Sequence, residues 1–415
     1  MTVRRSAVVL AATAVIGTAV APAALADDSS PAASTSPSTA LPSGLYGTSD
    51  PTYDGVWRQS LALLAQYTVG VKPADKAVDW LTGQQCANGA FAPYRADATA
   101  KCGAKTMVDT NSTAAAVQAL AAPGGHDDAT GKALTWLKSV QNKDGGWGYT
   151  AGGASDANST SVVIGALAAA GEKPGDVAKG GKSPYDALVR LSIPCAEDGG
   201  GAFAYQPDKK GGLAANEDAT AAAVLGGLGK GLAATAGKAS ADATCQKADQ
   251  PTPEQAAHNG AVHLAATLKD TSYLKSALAG AEDQPDYGNT ADAVVALAAA
   301  GSADAAKQSL VWLEKNSADW AAKSGPAAYA QLILAAHATG ADPRDFGGAD
   351  LVKQLGATGP AAQTAGSSAS PSATKDEQKD DEGDGVSVWW IVGVGLVGGI
   401  GIGFLLSGRN KKQQL

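Results

Sequence analysis

Four short polar phrases of one design punctuate this 415-residue chain, and they are where chemistry would sit. Asp109-Thr110-Asn111-Ser112-Thr113 and Asp156-Ala157-Asn158-Ser159-Thr160 have the full form. Asn216-Glu217-Asp218-Ala219-Thr220 and Asp286-Tyr287-Gly288-Asn289-Thr290 are looser copies. Each phrase stands before an Ala-rich apolar run. Oxygens of Asp, Asn, Ser and Thr accept hydrogen bonds from the first free N–H groups of a helix, so capping is the first task such a phrase can perform. Helix N-termini gathered round one mouth also offer N–H groups and a favourable dipole to an anionic ligand group such as a phosphate. The ligand-binding candidates are therefore Asp109, Asn111, Asp156, Asn158, Asn216, Asp218 and Asp286.

Metal chemistry has less to work with. The four histidines are His126, His258, His263 and His337. His258 and His263 are five apart and do not share a helical face, and no metalloprotease-type pairing occurs. Each His reads as a surface or loop residue. The four cysteines, Cys86, Cys102, Cys195 and Cys245, lack a Cys-x-x-Cys spacing, so no metal site is expected. Outside the cell they would be bridged. Three pairings exist for four cysteines. Cys86 with Cys102 and Cys195 with Cys245 is the local choice, each pair closing a loop between repeats.

The elements that must position these phrases are announced by a second repetition. Lys132-Ala133-Leu134-Thr135-Trp136-Leu137 leads through Gln141 to Asp144-Gly145-Gly146-Trp147. Earlier copies of its parts are Trp80-Leu81, Gln85 and Gly89-Ala90-Phe91. Later ones are Ala187 to Leu191 with Asp198 to Phe203, and Leu310-Val311-Trp312-Leu313. Repetition on this scale decides architecture before any local reading does. Each unit reads as two helices: a slim Ala-rich one after the polar phrase (Ala114 to Ala121), then one bearing Leu134, Trp136, Leu137 and Val140 on one face. A first unit starts near Asp54 and a last near Gly325. Six such pairs, slim helices inside and Trp/Leu-bearing helices outside, make an all-α closed double ring. The polar phrases then surround the mouth on one face. Trp147 is expected to pack between repeats.

The ends predict a cell-surface protein. Residues 1–26 have the form of a secretory signal: Arg4-Arg5, an apolar stretch from Ala7, and Ala24-Leu25-Ala26 before Asp27. Residues 27–43 and 359–385 are Ser/Ala/Pro-rich linkers, the second turning acidic through Asp376, Glu377, Asp380, Asp381, Glu382 and Asp384. That run supplies much of the net charge of −8. With no basic stripe, nucleic acid is not an expected partner. Residues 386–406 are uncharged and long enough to cross a bilayer. Arg409, Lys411 and Lys412 keep the tail, 407–415, cytoplasmic. Gly395, Gly399 and Gly403 form a stripe through which two such helices could dimerise. Residues 44–358 are left as one folded domain outside the cell.

The Lys132–Trp147 phrase resembles the QW repeat of squalene and oxidosqualene cyclases, and the domain resembles the α/α-toroid of that superfamily. The resemblance implies an α6/α6 toroid. Its relatives include protein prenyltransferase β subunits and the cobalamin carriers intrinsic factor and transcobalamin. Cyclases of this type carry an Asp-x-Asp-Asp-Thr-Ala phrase whose middle Asp donates a proton. Here Asn111 and Asn158 stand at that position, and an amide is no strong acid. Only Asp218 keeps a carboxyl there, without its flanking carboxylates. The chain is also 5% aromatic, thin for a cavity that must stabilise cations. The resemblance to the carriers implies a binding module without a cofactor, with cobalamin or another corrinoid as ligand and an uptake transporter or lid protein as partner. Two alternatives stay open: a degenerate cyclase or prenyltransferase-like enzyme using Asp218 as general acid, and a surface protein-interaction scaffold.

Overall fold

The computed structural model describes residues 41–363, apart from 241, 279 and 280. The signal, the membrane span, the glycine stripe and the acidic part of the second linker lie outside the described residues. Among the described residues there are thirteen α-helices, and no helix is long and apolar enough to cross a membrane. They are α1 (Gly55–Thr68), α2 (Asp75–Gly83), α3 (Thr110–Ala121), α4 (Asp127–Ser139) and α5 (Ala157–Ala169). Next come α6 (Pro184–Val189), α7 (Glu217–Gly227), α8 (Pro253–Leu268) and α9 (Tyr287–Ala299). Last are α10 (Ala303–Asn316), α11 (Ala318–Ser324), α12 (Pro326–Thr339) and α13 (Leu351–Ala357). A two-residue antiparallel ladder, β1 (Leu274–Lys275) with β2 (Pro285–Asp286), pairs Leu274 with Asp286.

Six of the helices close a cycle. α1 packs on α3, α3 on α5, α5 on α7, α7 on α9, α9 on α12, and α12 returns to α1. Each also has an outer companion: α2, α4, α6, α8, α10 and α13 in the same order. The difference in side chains explains the sorting. α3 is buried from Thr110 to Leu120 and α5 from Ala157 to Leu167, on every face. Only small side chains let a helix be surrounded that closely. α4 buries Thr130, Ala133, Leu134, Trp136 and Leu137, one stripe facing inward.

The repeated Gln…Gly-Gly-Trp phrase joins one unit to the next. Gln141 Nε2 donates to Gly145 O at 2.8 Å and to Val177 O of the following unit at 3.2 Å. Gln85 does the same to Gly89 O and Ala129 O. Gly145 has φ +90°, and a Cβ there would stand 2.1 Å from Ser183 O, at the cap of α6. Gly89, φ +93°, meets Lys132 O of α4 in the same way. These glycines are needed for a left-handed backbone that a side chain would both strain and obstruct. Trp147, 1% exposed, donates its indole N–H to Leu137 O of α4 and its backbone N–H to Thr160 Oγ1 of α5, so it packs between repeats as expected.

Both expected disulfides are present, Cys86–Cys102 and Cys195–Cys245. The second anchors the long connection from α7 to α8. That connection crosses the C-terminal end of the six-helix cycle. Leu232 N donates to Gln118 Oε1 of α3, and Gln118 Nε2 donates to Val162 O of α5. Further on, Gly237 N bonds Ala298 O of α9, the helix opposite α3. The strap fills one end of the ring. At the other edge the fold outruns the predicted domain: Gln363 bonds Lys72 O, Pro73 O and Asp75, so residues 359–363 are docked, not linker.

Candidate functional site

The polar phrases sit at the N-terminal ends of the inner helices, all on one face of the ring. Their first residues cap. Asp109 accepts from Ser112 N and Asp156 from Ser159 N, both at 2.6 Å. Asn216 accepts from Ala219 N, and Asp286 from Asn289 N. Their last residues clip the preceding loop to the helix. Thr113 Oγ1 accepts from Phe91 N, Thr160 Oγ1 from Trp147 N, Thr220 Oγ1 from Phe203 N, and Thr290 Oγ1 from Leu274 N. Capping therefore accounts for Asp109, Asp156, Asn216 and Asp286, and the recurring Thr for Phe91, Trp147 and Phe203 of the other phrase and for Leu274 in the fourth unit.

The middle residues do something else. Asn111, Asn158 and Asp218 share the second helical position of α3, α5 and α7. Asn158 Nδ2 donates to Asp218 Oδ2 at 2.6 Å, so these positions face one another across neighbouring helices. One turn deeper, Gln331 Nε2 on α12 donates to Asp292 Oδ2 on α9 at 3.1 Å. Asp218 is close enough to Asp292 that its charge raises the cost of ionising Asp292. Both keep partial solvent exposure while protein surrounds them. Desolvation comes first and pushes Asp218 up to about 7, with Asp286 and Asp156 adding repulsion that the Asn158 bond offsets. Desolvation and then the Asp218 charge push Asp292 up to about 8.

Several buried polar atoms here have no partner: Asp109 Oδ2, Thr110 Oγ1, both polar atoms of Asn111, Asn158 Oδ1 and Ser161 Oγ. Burial drives Asp109 and Asp156 up to about 6. Tyr205 stands over Asp156, and Tyr149 beside Asp109; burial first, then these carboxylates, raise both phenols. The mouth is acidic on the α7–α9 side, which opposes the anionic ligand group expected from helix dipoles alone.

Sequence reasoning missed Asp292, Gln331, Tyr149 and Tyr205. Asp292 had a signal: it is the one charge in the run Thr290-Ala291-Asp292-Ala293-Val294-Val295. Two histidines also differ from the expectation. His337 lies on inner helix α12, where burial lowers its pKa, and His263 on α8 faces Glu217 Oε1 at 3.5 Å. Among the described residues no group of three or more His, Cys, Asp or Glu could hold a metal ion.

No family model matches the chain, and no curated protein matches it. Among solved structures it is similar to a sugar epimerase from a ruminal bacterium, with TM-score 0.41 and 15% identity over 66% of this chain and 80% of that one. It is also similar to a protein from Actinoplanes, with TM-score 0.31 and 14% identity over 68% of this chain and 99% of that one. Likeness at this level carries no argument about fold or function.

Proposed function

We propose that this chain is a cell-surface binding module of α/α-toroid architecture that captures a polar metabolite at the N-terminal mouth of its inner helices. One observation carries the reading: Thr110 Oγ1, Asn111 Oδ1 and Nδ2, and Asn158 Oδ1 are buried and unpartnered at the starts of adjacent helices. Each such atom costs about 1–3 kcal/mol while unpaired. A ligand that supplies the partners recovers that cost on binding. Asn111 offers a donor and an acceptor side by side, the complement of a carboxamide. A corrinoid carries a fringe of carboxamides, so it is the named candidate, with delivery to an uptake transporter as its purpose. The signal, the membrane span at 386–406 and a lid protein belong to the same proposal.

The test is calorimetry of cobalamin and its precursors on the full-length chain and on Asn111→Leu. Leu keeps the number of side-chain heavy atoms and removes both orphan atoms, and circular dichroism checks that its larger bulk leaves the fold intact. Saturable binding that the variant loses supports the reading. Binding indifferent to Asn111, or no binding of any polyamide, overturns it.

A second reading has its own observation. Asp218 is enclosed beside Asp292 and holds its proton near neutral pH, as a general acid must. An enzyme of that kind loses turnover on polyprenyl substrates in Asp218→Asn. A binding module keeps its Asn111-dependent affinity in the same variant.

A further inference from the structure

The mouth is not uniform. At the second helical position α3, α5 and α7 carry Asn111, Asn158 and Asp218, but α9 carries Gly288. A Cβ at Gly288 would lie 3.4 Å from Gln331 Oε1 and 3.7 Å from Trp320 Cζ2, so these two side chains wall the space that the glycine leaves. Asp292 stands one turn below on the same face of α9. Asp218 flanks the space from α7, and Asn158, 4% exposed, reaches Asp218 through its Nδ2. That bond leaves Asn158 Oδ1 buried with no partner next to the Asp218 carboxyl. Once both carboxyls are ionised, every free atom named here is an acceptor: Asn158 Oδ1, the remaining oxygens of Asp218 and Asp292, and Gln331 Oε1.

We infer that this niche, framed by Asp218, Asp292, Asn158 and Gln331 above and beside Gly288, is a subsite for the ammonium group of an organic amine. An ammonium has donors only, one positive charge, and the size of the side chain that Gly288 omits. It relieves the repulsion between the two carboxylates and gives Asn158 Oδ1 its donor. Trp320, stacked on Tyr287, closes the wall. The inference rests on the reading of the mouth as a ligand site and names the chemistry of its α7–α9 side.

Binding then depends on pH. The groups acting on the pair are Asn158 and Asp156 from α5, Asp286 at the cap of α9, and Gln331 from α12. Tyr205 acts on Asp156 and Asp218 from the loop before α7. Glu217 on α7 is turned to His263 of α8. An ammonium needs at least one ionised carboxyl, so its affinity rises with pH through the range where the pair loses its protons.

The test uses n-butylamine, a cation throughout that range, and n-butanol, its neutral analogue, titrated into the full-length chain by ligand-observed NMR. Expected is saturable butylamine binding that tightens at least about tenfold from about pH 6 to about pH 9. It should be lost in Asp218→Asn and Asp292→Asn and weakened in Gly288→Ala. Butanol should not compete. If Asp218→Asn fails to fold, Asp292→Asn and Gly288→Ala still decide. Equal binding of butanol, a flat pH profile, or indifference to Asp292→Asn overturns the inference. A chain that binds a polyamide through Asn111 and ignores butylamine overturns this subsite alone. Asp292-dependent amine binding without any polyamide binding supports the subsite while the polyamide reading falls.

Discussion

Asp292 shows how much one enclosed side chain can do to the pH response of the fold. In the unfolded chain its carboxyl titrates near 3.8; in the native ring it does so at about 8. Asp218 moves to about 7, and Asp109 and Asp156 to about 6. Between the unfolded and folded values the native state holds the extra protons. Stability contributed by these groups is therefore full below about pH 4 and is withdrawn as pH rises towards about pH 8. Asp292→Asn should flatten the upper part of that decline. At about pH 8 the variant should be more stable than the parent by about 1–2 kcal/mol, because a desolvated charge with no cation beside it is removed. Urea unfolding across the pH range checks this, and a variant less stable than the parent at about pH 8 contradicts it. Asp292 was legible as a lone acid in an apolar helix; what it faces was not.

Helices and loops in this chain are joined by a few repeated hydrogen bonds, and these have measurable weight. Thr160 Oγ1 accepts the N–H of Trp147, which is otherwise sealed in the core. Thr160→Val keeps the shape and strands that donor, so it should cost about 1–3 kcal/mol in chemical denaturation. A loss below a few tenths would mean that the clip is incidental. The disulfides act on a larger scale. Cys195–Cys245 spans 50 residues and Cys86–Cys102 spans 16. Loop-closure entropy assigns about 4 and about 3 kcal/mol to them, in that order. Replacing each pair by serine should reproduce that ranking in the urea midpoint. The former should also speed amide exchange at Leu232, because it frees one end of the strap. Equal exchange at Leu232 in both variants would remove the strap from the account.

At the scale of the whole molecule the ring brings both edges of the folded region onto α2. A Cβ on Gly44 would press on Lys76 and Trp80, while Gln363 bonds Pro73 and Asp75. Lys209 and Lys210 lie in an exposed loop on another unit. A circular permutant that joins residues 363 and 44 by a short Gly/Ser linker and opens at Lys209–Lys210 should keep the parent helicity and a single thermal transition. The midpoint should fall by only a few degrees. Two separated transitions would show that the cycle of inner helices is not one cooperative body.

The amino-acid sequence by itself determined the units. Polar caps, small residues and Trp/Leu stripes act within one or two helical turns, so α1, α3, α4 and α12 begin and end close to where those signals stand. The local disulfides and the packing of Trp147 followed from the same short-range order. Only the tertiary structure decided which polar residues meet. Asn158 and Asp218 are 60 residues apart, Asp292 and Gln331 are 39 apart, and Leu232 and Gln118 are 114 apart. Those encounters are set by ring closure and by the path of the strap, which depend on how six helices pack at once. The excess of acceptors beside Gly288 is likewise a property of four helices together, α5, α7, α9 and α12, which no single stretch of sequence carries.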